Sequence, residues 1–165
     1  MSRPDAAGTS LLFLCLGNIC RSPLAEGIFI HRATERGEIN RFRIDSAGTG
    51  GWHVGNPPDP RSVAVARTHG VHLPSRARRL TTGDAEAFDL ILAMDRQNAL
   101  DAAADFAIPD TKVRLMRSFD PLAEPGAEVP DPYYGGDRGF DEVYDMLVRA
   151  CDGLLDELLS DPPRV

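Results

Sequence analysis

The chain has 165 residues, of which 42% are hydrophobic and 26% charged, and its formal net charge is −7 at pH 7. This length suits one domain with a single core, and the composition is ordinary for a soluble globular protein. The negative charge argues against nucleic-acid partners and against broad binding to anionic membranes. Three cysteines, without a CxxC pair, argue against a disulfide scaffold and a structural zinc site. We therefore expect a cytoplasmic protein.

Short apolar runs predict four strands. The first run, LLFLC, is continuous, as expected of a buried parallel strand. The predicted strands cover residues 11–15, 42–48, 88–94 and 112–116.

Helical patterns follow each predicted strand. Ser22 is expected to cap the first helix, Pro23 to lie in its first turn and Gly37 to end it. Asp95 is expected to cap the third helix. The predicted helices cover residues 22–36, 60–69, 95–106 and 140–159.

This alternation predicts an α/β domain, a four-stranded parallel sheet with helices on both faces. We expect a flexible N-terminal tail over residues 1–10, one domain over 11–160 and a C-terminal tail over 161–165. No apolar stretch is long enough to span a bilayer, so membrane insertion is not expected. Ligands of such sheets bind beyond the carboxyl ends of the strands, where residues 15–22, 48–59 and 118–138 form loops.

The stretch CLGNICRS, residues 15–22, joins the first strand to the first helix. Backbone N–H groups that gather at a helix N-terminus bind anions, phosphate above all. If the loop wraps into a semicircle, Cys15 lies under the anion and Arg21 closes the far side with paired hydrogen bonds. The same positive field favours thiolate over thiol, and Ser22 can donate a hydrogen bond to the sulfur. The stretch therefore predicts a cysteine nucleophile aimed at phosphorus.

The alternative for Cys15 is a buried core cysteine, with Arg21 as a surface charge. The coincidence of a strand, a Gly-Asn turn, Arg-Ser and a helix start favours the phosphate-binding interpretation. A Walker A loop is excluded because the sequence contains no GxxxxGK[ST].

Four segments, CLGNICRSP, DSAGT, GNPPDPRS and DPYYGG, occur in this order along the chain. With these motifs the sequence resembles the low-molecular-weight protein tyrosine phosphatases over about residues 11–158. The resemblance implies a flavodoxin-like (phosphotyrosine phosphatase I-like) fold with strand order 2-1-3-4. It also implies a metal-independent enzyme without a cofactor, which hydrolyses phosphotyrosine and small aryl phosphates through a phosphocysteine intermediate.

The resemblance assigns roles to individual residues. Cys15 is the nucleophile, Arg21 binds phosphate and Asp131 is the general acid and later the base. Asn18, Ser46 and Asp95 support the loop, although Asp95 is also explained as a helix cap. The expected phosphate-binding residues are Leu16, Gly17, Asn18, Ile19, Cys20, Arg21 and Ser22.

A slot for an aryl ring is expected beside the loop. Tyr133 and Tyr134 follow Asp131 and supply aromatic walls, and Ile19 supplies an apolar contact. Trp52, the only tryptophan, either packs conventionally or forms another wall. A second Asp-Pro pair begins at Asp120, which is expected to make only a turn.

Two further features bear on the loop. Cys20 is either an apolar filler or a redox partner that traps oxidised Cys15 as a disulfide, and the resemblance implies that some family members share this second cysteine. Cys151 falls on the apolar stripe of the last helix and is assigned to the core. Many relatives carry histidine where this chain has Ser75, which puts that part of the loop network in doubt.

Two other functions remain open, arsenate reduction on the same fold and non-catalytic phosphotyrosine binding. The expected partners are phosphotyrosine-containing proteins, with phosphate as product and weak competitive ligand. The expected assembly is a monomer or weak dimer.

Overall fold

A four-stranded parallel sheet forms the centre of the protein. The computed structural model describes residues 8–134 and 137–160. The spatial order of the strands is β2-β1-β3-β4, so the α/β class, the parallel sheet and the order 2-1-3-4 are confirmed. The strands are β1 (Thr9–Cys15), β2 (Phe42–Gly48), β3 (Leu90–Ala93) and β4 (Val113–Leu115).

Helices connect the strands and cover both faces of the sheet. The short helix α3 was not expected from the sequence, whereas the other four were. The α-helices are α1 (Arg21–Glu35), α2 (Pro60–Thr68), α3 (Asp84–Ala87), α4 (Arg96–Phe106) and α5 (Asp137–Ser160). Single 3₁₀ turns cover Ile39–Arg41, Asp110–Lys112, Met116–Phe119 and Pro132–Tyr134.

Strand β1 lies inside the sheet because it pairs with β2 on one side and with β3 on the other. Its residues 11–14 are fully buried, and alternate side chains point to opposite faces. Leu11 and Phe13 pack in one core cluster with α1, α2 and α5. Leu12 and Leu14 pack in a second cluster with Ala102 and Phe106 of α4 and with neighbouring loops. An uninterrupted apolar run is what a strand covered on both faces requires.

The N-terminal boundary of the sheet differs from the sequence prediction. Thr9 pairs with Phe42, and the N–H of Ser10 donates to Oδ2 of Asp89 at 2.8 Å. These contacts place Thr9 and Ser10 in β1, so the predicted tail over residues 1–10 is wrong at its end. Residues 1–7 and the predicted tail over 161–165 lie outside the described residues.

Helix α1 begins differently from the prediction. Its N-cap residue is Cys20, which makes no side-chain cap hydrogen bond, and Ser22 lies inside the helix. The predicted capping role of Ser22 is therefore wrong, because its hydroxyl faces Cys15 instead. Gly37 ends the helix as expected, with a φ of 71° that favours glycine.

Helix α4 begins as the sequence predicts. Asp95 accepts a hydrogen bond from the N–H of Asn98 at 2.7 Å, and Asn98 accepts one from the N–H of Asp95 at 3.1 Å. This reciprocal pair is a capping box, which fixes Asp95 at the carboxyl end of β3.

Loops from three strands meet at the carboxyl edge of the sheet. The carbonyl of Cys15, at the end of β1, accepts from the N–H of Thr49 at 3.0 Å. A Cβ added to Gly48 would lie 2.7 Å from the carbonyl oxygen of Leu16, so only glycine allows the two loops to approach this closely. No helix in the described ranges is both long and apolar enough to cross a bilayer.

Candidate active site

The loop between β1 and α1 turns sharply at Asn18. Asn18 has a φ of 57°, a left-handed conformation that asparagine tolerates better than most residues, and it is almost fully buried. Arg21 follows as the first residue of α1, so the loop runs from the end of a strand directly into a helix N-terminus. Cys15 and Arg21, both buried, thus lie at the two ends of one short turn.

A network of hydrogen bonds stabilises this turn. The Sγ atom of Cys15 lies 3.0 Å from Oγ of Ser22. The side-chain amide of Asn18 donates to Oγ of Ser22 at 2.8 Å and to Oγ of Ser46 at 3.1 Å. Its carbonyl oxygen accepts from the N–H of Arg78 at 2.9 Å. The side chain of Asn18 therefore fixes the loop to β2, to α1 and to the chain near Arg78.

The hydrogen-bond network ends at the buried carboxyl group of Glu26. Glu26 accepts from the hydroxyls of both Ser46 and Ser75 at 2.6 Å. Burial raises the pKa of Glu26, and the two hydroxyl hydrogen bonds only partly offset this effect. Ser75, the position at which the family resemblance implied a histidine, joins the network through its neutral hydroxyl.

Arg21 is held rigidly although it is cationic and buried. Its Nη1 donates to Oδ2 of Asp95 at 2.7 Å and to the carbonyl of Val129 at 2.9 Å. Burial alone would lower the pKa of Arg21, but Cys15, Asp95 and Asp131 together hold that pKa above its ordinary value. The guanidinium therefore stays charged beside the cysteine.

Asp131 reaches the same place from the loop that follows β4. The N–H of Val129 donates to the carbonyl of Met94 at 2.8 Å, which pins this loop to the end of β3. Oδ2 of Asp131 then lies 3.8 Å from Nη2 of Arg21, and Oδ1 accepts from the N–H of Tyr133 at 3.0 Å. The structure thus brings the carboxyl of Asp131 to the cysteine and arginine across more than a hundred residues of chain.

The three groups open into one cleft of about 340 Å³. Trp52 and Tyr133 stand at its rim, with 72% and 38% of their surfaces exposed. A Cβ added to Gly50 would lie 1.9 Å from Cζ3 of Trp52, so the indole packs directly on this glycine. The cleft is lined by Cys15, Leu16, Gly17, Ile19, Cys20, Arg21, Trp52, His53, Asp131 and Tyr133.

The chain matches a known protein family. A model of the family described as low molecular weight phosphotyrosine protein phosphatase matches residues 10–163. The chain belongs to this family. It is 45% identical over 146 residues to the low molecular weight protein-tyrosine-phosphatase of Streptomyces coelicolor, covering 87% of this chain and 89% of that one.

Two solved structures of family members are also similar. A protein tyrosine phosphatase from Entamoeba histolytica, crystallised with Hepes in its active site, superimposes with a TM-score of 0.85 at 36% identity, covering 93% of this chain and 98% of that one. The drosophila arginine phosphatase superimposes with a TM-score of 0.82 at 33% identity, covering 92% and 99%. The resemblance stated from the motifs is therefore confirmed.

Cys20 and Cys151 differ from Cys15 in their surroundings. All three thiols are free. Burial and the negative charge of Asp59 raise the pKa of Cys20 to about 12, so this thiol is protonated at neutral pH. Cys151 is fully buried, its Sγ donates to the carbonyl of Ala25, and burial raises its pKa further. Cys151 is a core residue, as the sequence predicts.

Asp120 does more than make a turn. It accepts from the N–H of Leu122 at 2.9 Å, as a turn residue does, but its carboxylate is fully buried between two arginines. Oδ1 accepts from Nε of Arg149 at 3.0 Å, and Oδ2 accepts from Nε of Arg117 at 3.2 Å. The prediction of a turn alone is wrong, because Asp120 anchors this loop to α5.

Several residues of the site were not recognised in the sequence. His53 lines the cleft, and its ring lies 3.1 Å from where a Cβ on Gly17 would stand. Arg61 donates to the carbonyl of Tyr133 at 3.2 Å, and its guanidinium carbon lies 5.2 Å from the centre of that ring. His53 could have been predicted from its position next to Trp52 in the sequence. Arg61 could have been predicted from its position in the motif GNPPDPRS.

The predicted aromatic wall is only partly described. Tyr133 lies in the cleft as expected, whereas the side chain of Tyr134 lies outside the described residues. Ile19 and Trp52 also line the cleft. In the described ranges, no three His, Cys, Asp or Glu side chains form a group that could hold a metal ion.

Proposed function

We propose that this protein hydrolyses phosphotyrosine in proteins, and small aryl phosphates, through a phosphocysteine intermediate on Cys15. The observation that carries the proposal is the shared cleft of Cys15, Arg21 and Asp131, in which Nη2 of Arg21 lies 3.8 Å from the carboxylate of Asp131. Membership of the phosphotyrosine phosphatase family supports the same chemistry. The individual site roles below are proposals supported by contacts in this structure and by the motifs of the sequence.

Cys15 is the proposed nucleophile. The amide of Asn18 donates to Oγ of Ser22, so the hydroxyl proton of Ser22 remains for an acceptor of its own. The nearest acceptor is Sγ of Cys15 at 3.0 Å, ahead of the carbonyl of Ala47 at 3.5 Å. A hydrogen bond from this hydroxyl stabilises the sulfur as an anion, both before attack and when it departs.

Arg21 and the loop are proposed to hold the phosphate. Because Nη1 of Arg21 is engaged by Asp95 and Val129, Nη2 and Nε remain to bind two phosphate oxygens in parallel. The other oxygens are assigned to backbone N–H groups of the loop at the N-terminus of α1. The phosphate-binding set is Leu16, Gly17, Asn18, Ile19, Cys20, Arg21 and Ser22. Asn18, Ser46 and Asp95 act as its supports.

Asp131 is the proposed general acid and base. As the bond from sulfur to phosphorus forms, the bond from phosphorus to the phenolic oxygen breaks, and Asp131 gives its proton to that oxygen. In the second step Asp131 takes a proton from water, water attacks phosphorus, and Cys15 departs as thiolate. Inorganic phosphate is the product and a weak competitive ligand. No metal or cofactor enters either step.

Aromatic substrates fit the rim of the cleft. Trp52 and Tyr133 present exposed rings, and Ile19 adds an apolar side chain. Rings of this kind stack on an aryl group in offset or edge-to-face arrangements. Tyr134 is assigned to the same slot from the sequence. We propose phosphotyrosine-containing proteins as substrates, a cytoplasmic location, and a monomer or weak dimer.

Cys20 is proposed to protect the nucleophile from oxidation. Oxidation of Cys15 to a sulfenic acid, followed by attack of the Cys20 thiol, gives a Cys15–Cys20 disulfide and water. Both side chains line the same cleft. After mild peroxide treatment, mass spectrometry of the protein is expected to find this disulfide, and a reductant to restore activity. Irreversible loss of activity without the linkage would contradict the role.

Arsenate reduction is the first competing function. It starts from the same loop but passes oxidation to additional cysteines. Only Cys20 and Cys151 remain in this chain, and Cys151 is fully buried in the core. Non-catalytic phosphotyrosine binding is disfavoured because binding requires neither Cys15 nor Asp131.

Arginine dephosphorylation is a second activity to test, since the drosophila arginine phosphatase is a structural neighbour. The aromatic rim favours an aryl substrate. The deciding experiment compares an aryl phosphate, a phosphotyrosyl peptide, a phosphoarginyl peptide and arsenate with thiols, all in the presence of a chelator. We expect turnover of the first two. Preference for phosphoarginine, reduction of arsenate, or inactivity in chelator would refute the proposal.

A further inference from the structure

We propose that Arg61 is a positioning residue, which fixes the segment that carries Asp131 relative to Cys15. The inference rests on the proposed function, because it concerns how the proton is delivered to the leaving group. Arg61 is the second residue of α2 and lines a groove between α2 and α5, not the active-site cleft. It therefore acts through other residues and not by contact with the substrate.

The N-terminus of α2 is attached to the phosphate-binding loop. The N–H of Asp59, the N-cap residue of this helix, donates to the carbonyl of Ile19 at 2.8 Å. The hydroxyl of Ser62, which is fully buried, donates to the carbonyl of Cys20 at 3.2 Å. Ile19 and Cys20 belong to the loop that begins at Cys15. The first turn of α2 is therefore fixed relative to the nucleophile.

The side chain of Arg61 is held in one orientation on this turn. Its Nε and Nη2 donate to the two carboxylate oxygens of Asp59, at 3.1 and 3.0 Å. Asp59 is almost fully buried, and it also accepts from the N–H of Arg61 at 2.8 Å. A forked pair of this kind defines the plane of the guanidinium as well as its position. The guanidinium is therefore a rigid extension of the N-terminus of α2.

The third nitrogen of this guanidinium reaches the segment of the general acid. Nη1 donates to the carbonyl of Tyr133, two residues after Asp131, at 3.2 Å. The guanidinium carbon lies 5.2 Å from the centre of the Tyr133 ring and 4.7 Å from that of Phe140 on α5. At these distances a cation is attracted to an aromatic face. Arg61 thus contacts both the backbone and the ring of a residue 72 positions away in the chain.

These contacts hold the segment of Asp131 on both sides of that residue. Before it, the N–H of Val129 donates to the carbonyl of Met94 at 2.8 Å. After it, Tyr133 is joined to Arg61, and the N–H of Tyr133 donates to Oδ1 of Asp131 at 3.0 Å. The side chain of Asp131 is 35% exposed, so packing alone does not fix it. The backbone contacts on either side therefore determine where its carboxyl group lies.

Arg61→Ala is expected to impair proton transfer selectively. Displacement of a reacting group by about 1 Å can cost a hundredfold in rate, so kcat/KM for aryl phosphates with poor leaving groups should fall roughly ten- to a hundredfold. Activated aryl phosphates, whose phenols leave without a proton, should change by less than about twofold. Arg67→Ala is the matched control, because it removes the same charge at an exposed residue near the other end of α2. This control is expected to keep the wild-type rates.

Two further variants separate positioning from other roles. If Arg61 acts by placing the carboxyl group of Asp131, its loss has no effect once that group is absent. Arg61→Ala/Asp131→Ala is therefore expected to match Asp131→Ala on every substrate. Arg61→Lys keeps the charge but not the fork, so it is expected to lose most of the rate on poor leaving groups. If Arg61→Ala does not fold, as thermal unfolding would show, Arg61→Lys makes the same comparison.

The inference and the proposed function fail in distinguishable ways. Wild-type rates of either Arg61 variant on poor leaving groups, an equal loss across all leaving groups, or a further loss in the double variant would overturn the inference. Wild type would still hydrolyse aryl phosphates in each of these cases. If wild type does not hydrolyse aryl phosphates at all, the proposed function fails and the inference fails with it.

Discussion

The Sγ atom of Cys15 lies 3.0 Å from the Oγ atom of Ser22, and the side-chain amide of Asn18 donates a hydrogen bond to that same oxygen. This arrangement directs the hydroxyl proton towards the sulfur. The sulfur must carry negative charge twice in the proposed cycle, once when it attacks and once when water displaces it from phosphorus. The contact therefore bears on both steps, and on the second one most directly, since the thiolate is then the leaving group.

Ser22→Ala is expected to slow the release of phosphate. A hydrogen bond to a charged group contributes about 1.5 to 3 kcal/mol, which corresponds to a fall in kcat of roughly ten- to a hundredfold. Rapid-mixing measurements should show a larger initial burst of phenol relative to the steady rate. Ser118→Ala is the control, because its exposed hydroxyl donates to the carbonyl of Leu115 and Ser118 does not line the active-site cleft. Equal effects of the two substitutions would remove Ser22 from the chemistry.

Asp131→Ala is expected to penalise substrates according to their leaving group. General acid catalysis contributes roughly a hundred- to ten-thousandfold, and poor leaving groups such as tyrosine depend on it most. Activated aryl phosphates, whose phenols leave without a proton, should lose far less. The slope of log kcat/KM against the pKa of the phenol checks this expectation. A uniform loss across the series would show that Asp131 only positions the substrate.

Asp120→Asn is expected to lower stability at neutral pH and to flatten its dependence on acid. Burial by itself raises the pKa of Asp120, but the hydrogen bonds and charges of Arg149 and Arg117 outweigh this and lower it. A lowered pKa in the folded state contributes stability above the unfolded value of about 3.9, and this contribution is lost as pH falls through the folded value. Replacing the carboxylate should cost about 3 kcal/mol near pH 7, the lower end of the cost of breaking a buried ion pair, because both arginines are partly exposed.

Urea unfolding of wild type and Asp120→Asn at pH 7 and near pH 3 measures this effect. The difference in the free energy of unfolding between the two proteins is expected to be largest at pH 7 and to narrow in acid. Asp156→Asn is the control, since its ion pair with Arg36 is exposed and should be worth less than about 1 kcal/mol. A difference that stays constant with pH would show that the carboxylate charge is not what stabilises this loop.

Gly50→Ala is expected to displace the indole of Trp52. The added Cβ would lie 1.9 Å from Cζ3 of the ring, so the indole must move. We expect KM for aryl phosphates to rise by roughly three- to tenfold through lost ring contacts, with little change in thermal stability because Trp52 is exposed. Gly51→Ala is the matched control, since its Cβ would meet Arg79 at an ordinary 3.4 Å. An unchanged KM in Gly50→Ala would exclude Trp52 from substrate binding.

The sequence predicted those features whose determinants are local. A continuous apolar run, a Gly-Asn turn and a helix start are adjacent in the chain, so the strand, the loop and the pairing of Cys15 with Arg21 followed from them. The capping box at Asp95 is equally local and was predicted as a cap. Ser22 shows where such rules fail. Its type and position favour a helix cap, but the tertiary contact with Cys15 determines where its hydroxyl points.

Features that depend on distant segments were not predictable from the residues alone. Asp120 and Asp131 both precede proline, and nothing in the sequence next to Asp120 indicates that it is a buried anchor. Their surroundings differ because of residues far away in the chain. Arg149 on α5 donates a hydrogen bond to Asp120, whereas Arg21 on α1 faces Asp131. The two tyrosines after Asp131 indicated a site for an aryl ring, and the family resemblance then assigned the acid role to Asp131.

The central claim is that phosphate passes through a covalent bond to Cys15, and trapping this intermediate tests it most directly. The protein is mixed with an activated aryl phosphate, denatured within milliseconds at low temperature, digested and examined by mass spectrometry under conditions that preserve phosphocysteine. We expect a phosphate group on Cys15 in wild type, its accumulation in Asp131→Ala, and its absence in Cys15→Ala. Phosphate on any other residue, or turnover by Cys15→Ala at the wild-type rate, would contradict the account.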